Sequence, residues 1–365
     1  MKRNLIFLAA LCTPMLASCA EPEAPIAQQV VEDVLSKKAI AMWADTGAVI
    51  NRTKSNGETL INSAQGAHAP ILATSFLAKI GEETYKASIS WSGIDNVNWK
   101  SYESDEDHIV VIPSRQSVGG ETLNATFVPT ITFEDASLTG SEYKFTCAPY
   151  DVDPVDLDLE DFANKFYVTK EVKKNDIIRT RGIITAMSPD LSSVIVQNGN
   201  SAVQLYKSSA FSTFYSIGAA ISVVGKIKDY NGLEFDPVLD VSPTDSSDLT
   251  VNNFEANAEN IANFKAAWNS GNKSLANVQV KDTLEVEKLS GKSDTLHLKT
   301  ADDGKISLYT KPGFAGDEGV KAIGALFDSL QAGDHVTFSG VLTYYSNGDL
   351  VEVNIYGAEF VSKAE

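Results

Sequence analysis

Apolar and polar residues alternate with a period of two along much of the chain between Val34 and Tyr150. Tyr85–Trp91, His108–Ile112, Thr122–Val128 and Glu142–Cys147 each set apolar side chains on one face, and Gly57, Gly81-Glu82, Gly119-Gly120 and Gly140 punctuate the runs. Short strands joined by turns at this spacing predict an antiparallel sandwich over residues 33–150. Within it Trp91 is expected in the core, while Trp99, in a polar stretch, has no obvious place. Cys147 has no histidine near it in sequence to activate a thiolate and is expected as a small buried side chain on a strand.

Beyond the sandwich the pattern repeats. Val203-Gln-Leu-Tyr206 matches Ile306-Ser-Leu-Tyr309, 103 residues later. Gly218, Ile221, Val223, Gly225 and Tyr230 match Gly333, Val336, Phe338, Gly340 and Tyr345, 115 residues later, so the second copy carries a 12-residue insertion. The insertion reads as a helix: Asp317 as a cap, Val320, Ile323, Phe327 and Leu330 on one face, Gly333 as the stop. Strands are predicted at 176–187, 192–199, 202–208, 218–229 and 233–241, then at 276–288, 295–300, 305–310, 334–345 and 350–361. Five strands, with a connection between the third and fourth that is helical when long, are what an OB-fold barrel requires. The barrels are placed at 166–245 and 272–365, joined by a segment at 246–271 whose helix (254–268) turns Ile261, Phe264 and Trp268 toward a core and ends at Gly271. Residues 151–165 read as an acidic, solvated linker. Its run Asp151–Asp161 is rich in oxygen ligands but lacks the turn glycine of a calcium loop and has Val and Leu between the acids.

The amino terminus has a different grammar. A basic start (Lys2, Arg3), an apolar stretch from Leu5 to Leu16, then Ala17 and Ser18 form the layout of a secretory signal peptide at 1–18, too short to span a bilayer stably. Leu16-Ala17-Ser18-Cys19 resembles a bacterial lipobox, which implies cleavage before Cys19 and acylation of it, anchoring the mature chain in a lipid bilayer. Residues 19–32, rich in Pro, Ala and Gln at their start, are then expected as a tether, and the protein as extracytoplasmic.

Two further resemblances rest on short motifs. Ile89-Ser90-Trp91-Ser92, Leu123-Asn-Ala-Thr126 and the closing run Tyr143–Cys147 are similar to an atypical Ig-like domain of bacterial surface proteins. Arg181-Gly-Ile-Ile184, Val194-Ile-Val-Gln-Asn198, Val203–Tyr206 and the Gly218–Gly225 block resemble OB-like domains of bacterial surface proteins, some attached to secreted nucleases. The second copy departs from that pattern, with Leu296-His-Leu-Lys299 where the Gln-bearing strand stands in the first. The expected fold class is therefore mainly β: an Ig-like β-sandwich followed by two OB-fold-like five-stranded barrels with a connecting helix.

Charge and candidate chemistry narrow the function. Thirty Lys and Arg against 48 Asp and Glu give a net charge of −18, which disfavours a nucleic-acid-coated surface. Residues 170–232 run against that sum, with eight basic side chains and four acidic ones. Arg179 and Arg181, and Lys226 and Lys228, are each spaced by two and project to one side of their strands, the first and fourth of a barrel, which are neighbours. Tyr206, Phe211, Phe214, Tyr215 and Tyr230 supply aromatic surface nearby, and cations with aromatics are what single-stranded nucleic acid needs. The same pattern also describes an ordinary solvated barrel face with a plugged end. His68, His108, His297 and His335 lie in separate segments without metal-ligand spacing, and no hydrolase or nucleotide-binding motif occurs. The reading is a non-catalytic surface lipoprotein with no cofactor and no metal. Its ligand is left open between nucleic acid, polysaccharide and a surface protein, and the candidate ligand residues are Arg179, Arg181, Lys226, Lys228, Tyr206 and Tyr230.

Overall fold

A computed structural model describes residues 24–43, 58–61, 69–206, 214–289, 294–310 and 312–363. Cys19, His68, Lys207 and Phe211 lie outside the described residues.

The chain is mainly β. Its first element is α1 (Ile26–Ser36), followed by β1 (Ala41–Trp43), β2 (Glu58–Ile61), β3 (Pro70–Ala73), β4 (Ser75–Ile80), β5 (Glu83–Ser92), β6 (Trp99–Asp105), β7 (His108–Pro113), β8 (Leu123–Phe133), β9 (Ala136–Thr139) and β10 (Tyr143–Cys147). The strands form two sheets, β1-β3-β7-β6 and β2-β10-β8-β5-β4, with β9 added on β8. Aromatics join the sheets. Trp91 of β5 donates its indole N–H to the Ala73 carbonyl at 2.8 Å, and Trp99 of β6 sits edge-on to Phe127 of β8 at 5.6 Å. Trp99, which its polar neighbours made hard to place, is fully buried because the Asn96 carboxamide caps the turn before it, accepting from the Asn98 and Trp99 N–H groups. Cys147 is buried on β10 as expected, and burial pushes its thiol up to about 12.

Two polar-looking segments are more ordered than their composition implies. The stretch 19–32, expected as a tether, is helical from Ile26, because Ala27, Val30, Val31 and Val34 line one helical face and bury it against β4, β8 and β9. The acidic segment 151–165, expected as a solvated linker, forms β11 (Val155–Asp156) and opens α2 (Leu159–Tyr167). Asp158 caps that helix by accepting from the Asp161 N–H, and Leu159, Phe162, Ala163 and Tyr167 are buried, with Phe162 stacked on Phe235 at 5.7 Å. The acids stay outside while the apolar residues between them close the bottom of the next barrel.

That first barrel comprises β12 (Ile177–Met187), β13 (Ser193–Asn198), β14 (Ser201–Tyr206), β15 (Ala220–Asp229) and β16 (Leu233–Pro243). Its strands run β12-β13-β14-β16-β15 and close through β12–β15 pairing. Only the β14–β16 contact is parallel within the barrel. After α3 (Ala258–Asn269), β17 (Gln279–Leu289), β18 (Thr295–Lys299), β19 (Lys305–Thr310), β20 (His335–Tyr345) and β21 (Leu350–Ser362) repeat the same closed order, with a parallel β19–β21 contact. This is the OB order of strands. The predicted insertion helix is α4 (Pro312–Ser329), broken at Gly316 (φ 66°), with Ile323, Phe327 and the following Leu330 buried. The repeated glycines Gly225 and Gly340 each sit where the register between the fourth and fifth strands of their barrel slips. A Cβ at Gly225 would fall 2.3 Å from the Phe235 ring, and one at Gly340 would fall 2.4 Å from Val353.

The barrels are fused by a buried polar seam. Gln197 of β13 is completely buried; its Nε2 donates to the carbonyls of Gly199 (3.0 Å) and Asn252 (2.7 Å), and its Oε1 accepts from the Gln279 N–H of the second barrel (2.9 Å). Gln279 in turn donates from Nε2 to the Tyr356 hydroxyl at 2.8 Å. Around this amide, Ala186, Ile195 and Ala202 of the first barrel join the apolar core of the second.

Two outcomes follow for stability. Gly225→Ala should lower the urea unfolding midpoint, at a cost of about 1–3 kcal/mol for overpacking against Phe235. Gln197→Leu should cost about 1–3 kcal/mol by stranding the Gln279 N–H and two carbonyls in the seam. An unchanged midpoint for either variant would contradict the packing described.

Candidate functional site

The cationic strip assembles as a strip and is then neutralised. In the β12–β15 ladder Arg179 stands opposite Val224, Arg181 opposite Ser222 and Lys226 opposite Ile177, so the basic residues do share one region of the barrel surface. Arg179 Nη1 meets Asp156 at 3.0 Å, and Arg181 makes a two-point contact with Asp248, one arm at 3.1 Å. Lys228 pairs with Asp236. The three carboxylates lie outside residues 170–232 in sequence, on β11, on β16 and after β16, so the local positive sum does not survive folding. Lys226 lines a groove of about 450 Å³ together with Asp151, Asp153 and Asp176. Such half-exposed pairs add little stability. Their consequence is electrostatic: a phosphate approaching this face meets carboxylates alongside every one of the four cations.

The aromatic candidates divide. Phe214 and Tyr215 are buried, and Phe214 packs edge-on against Tyr102 of the N-terminal unit at 6.3 Å, so these two belong to packing rather than to a ligand surface. Tyr206 is half-buried at the end of β14. Tyr230 is 71% exposed at the β15–β16 turn. The second and third strands of an OB barrel commonly carry its ligand face. In the first barrel that face is covered along Ile195, Gln197 and Ala202 by the seam with the second barrel.

The repeat points to where the corresponding surface is open. Tyr309 and Tyr345 are the second-barrel counterparts of Tyr206 and Tyr230. Register places Thr295, Tyr309 and Asn354 side by side across β18, β19 and β21. A neighbouring row runs His297, Ser307, Glu352 and Thr343 across β18, β19, β21 and β20. Between this face and the first barrel's β15–β16 turn lies a cleft of about 390 Å³ lined by Tyr309, Tyr345, Asn354, Glu352, Asp294 and Asn231, with no lysine or arginine in its wall among the described residues. The cleft is not legible along the chain because its residues come from four strands and from a turn of the other barrel; the paired tyrosines of the repeat are its signal in the sequence.

The cleft walls are tied together. Lys273 Nζ donates to Asp229 (3.0 Å) and to the Tyr230 carbonyl (3.3 Å), fixing the turn that carries Asn231. Its ammonium stands 5.4 Å from the Trp268 ring, which packs at 5.6 Å against Tyr344, adjacent to Tyr345. The Tyr344 hydroxyl and Lys265 both bind Asp349 in the β20–β21 turn. The corresponding turns of the two barrels are thus held in one network.

The described histidines form no metal cluster. His108 Nδ1 is 2.8 Å from Asp105, and His297 Nδ1 is 2.8 Å from Ser307 Oγ in a cross-strand pair. Burial lowers the pKa of His297. No group of three His, Cys, Asp or Glu residues placed to hold a metal occurs among the described residues. No helix among them is long and apolar enough to cross a membrane.

No family model matches the chain, and no curated protein matches it. Solved structures give distant likenesses. The crystal structure of the HINa domain of Ifi202 in complex with 20-bp double-stranded DNA is 14% identical, covering 53% of this chain and 99% of that one at a TM-score of 0.28. A deletion mutant of the single-stranded DNA-binding protein from Thermus aquaticus is 10% identical, covering 52% and 96% at 0.17. Drosophila Unr CSD456 is 9% identical, covering 65% and 77% at 0.16. Scores this low carry no inference about ligand; the barrel assignment stands on strand order and register.

Proposed function

We propose that this chain is a non-catalytic binding protein of an extracytoplasmic bacterial membrane surface. In this reading an acylated Cys19 holds it to the bilayer, the N-terminal two-sheet unit, read as Ig-like, spaces it, and the fused barrels present a ligand site. The observation that supports it best is the cleft between the second barrel's outer face and the first barrel's turn, braced by Lys273 and Trp268. A concave surface with a few convergent polar groups, preorganised before a ligand arrives, is the form of a binding site. The chemistry around it, amides, tyrosines and two carboxylates without an activated nucleophile, suits holding a ligand rather than transforming it.

The anchoring arm is tested by expression in a bacterial host with fractionation and intact-mass measurement. The wild-type chain should partition with membranes and carry the added mass of acyl chains on a new amino terminus at Cys19. Cys19→Ala should be released in soluble form without that mass. A Cys19→Ala protein that stays membrane-bound and differs from the wild type by no more than the mass of the substitution would remove the anchor from the proposal.

A second reading has the first barrel capture single-stranded nucleic acid, supporting a separate nuclease or uptake system. The exposed Tyr230, just past the end of the strand that carries Lys226 and Lys228, favours it; the pairing of Arg179, Arg181 and Lys228 with Asp156, Asp248 and Asp236 ranks it second. In an electrophoretic shift at low salt, the purified protein should leave a single-stranded oligonucleotide unretarded. Retardation that disappears in the Arg179→Glu, Arg181→Glu double variant would reverse the ranking.

A further inference from the structure

We infer that the inter-barrel cleft is a carbohydrate subsite that takes neutral sugar residues of a glycan chain. The inference rests on the reading of this chain as a binding protein but does not use the lipid anchor.

The lining chemistry selects the ligand. Asn231 and Asn354 each offer two N–H donors and a carbonyl acceptor on one plane, and Asp294 and Glu352 offer carboxylate acceptors. Thr343, opposite Glu352 in the β20–β21 ladder, adds a hydroxyl at the same wall. A partner that satisfies such a set must present many hydroxyl groups, each able to donate and to accept. Tyr309 and Tyr345 add apolar ring surface with a polar tip, matching a sugar ring whose C–H groups and hydroxyls alternate. Phosphorylated, sulfated or uronic-acid ligands are disfavoured by the described residues of the wall, which bring two carboxylates and no cation, in a chain whose net charge is −18. A fatty chain or apolar peptide would leave the Asn231 and Asn354 amides facing apolar groups, at a desolvation cost that its own burial does not offset.

Two independent features agree. First, Tyr345 is 47% exposed at the cleft and Tyr230, its repeat counterpart, is 71% exposed on the turn facing it, large apolar surfaces that folding leaves uncovered. Second, these turns are stiffened rather than free. The Tyr167 hydroxyl (3.1 Å) and Lys273 (3.0 Å) both bind Asp229 on the first barrel's side, and Asp349 is held by Tyr344 and Lys265 on the other. A glycan gives up the water on its many hydroxyls when it binds, so a cleft that is already braced and loses little freedom of its own is the fitting partner.

Affinity electrophoresis of the full mature chain tests this in native gels cast with galactomannan, xyloglucan, laminarin or soluble starch, with polygalacturonate as the anionic comparison. At least one of the neutral polysaccharides should retard the protein, and polygalacturonate should not. Tyr345→Ala removes an exposed ring and leaves folding intact, so it should weaken the retardation about tenfold in apparent affinity, as should Glu352→Gln, each losing one ligand contact. Tyr206→Ala, at the first barrel's covered counterpart, should leave it unchanged. Free migration in all four neutral gels, retardation by polygalacturonate alone, or full retardation of Tyr345→Ala would overturn the inference. Because the gels use soluble protein, a negative result here is separable from failure of Cys19 acylation.

Discussion

One buried side-chain amide makes two barrels into a single body. Gln197 lies where water cannot reach, so each of its polar atoms must find a protein partner, and it finds them in two carbonyls of its own half and one N–H of the other. Those partners are directional, whereas the apolar contacts of Ala186, Ile195 and Ala202 around them are not. The amide therefore sets the angle at which the barrels meet. From that angle follow the covering of the first barrel's second and third strands and the placement of its β15–β16 turn across the open face of the second barrel. The cleft exists because the seam does.

Electrostatics show the same dependence on long-range placement. The sequence window around the first barrel carries an excess of cations, yet Asp156, Asp236 and Asp248 reach Arg179, Lys228 and Arg181 from outside it. Exposed pairs of this kind hardly stabilise a fold, but they cancel the field a polyanion would feel. The second barrel has a different arrangement: at the cleft end of its outer face carboxylates, amides and tyrosines converge, while Lys288, Lys299 and Lys305 stand further along the same strands. Similar strands in a repeated order thus present surfaces of different chemistry, because the outward-facing residues of a barrel are free of the packing demands that make the inward ones alike.

Much of the architecture was legible beforehand. Both sets of five strands lie within a few residues of the positions expected from alternation and glycine punctuation, and the insertion helix buries Ile323, Phe327 and Leu330 of the expected face. Alternation is a local property, fixed by the pleat of each strand, so neighbouring residues suffice to reveal it. The misreadings have a common cause. The helix that begins at Ile26 and the ordered segment 155–167 look solvated by composition, yet four apolar residues on one helical face outweigh the acids and glutamines between them. Trp99 looked like a loop residue because its neighbours are polar; those neighbours build the turn that delivers it to the core.

The sequence alone determined the class of fold, the repeat and the strand boundaries, all of which are written in runs of adjacent residues. Only the tertiary structure decided which surfaces remain open. Whether Arg181 is a free cation depends on Asp248, and whether Tyr309 borders a cleft depends on a turn nearly eighty residues before it. Site chemistry of this kind is set by distances through space, which alternation and spacing along the chain do not encode.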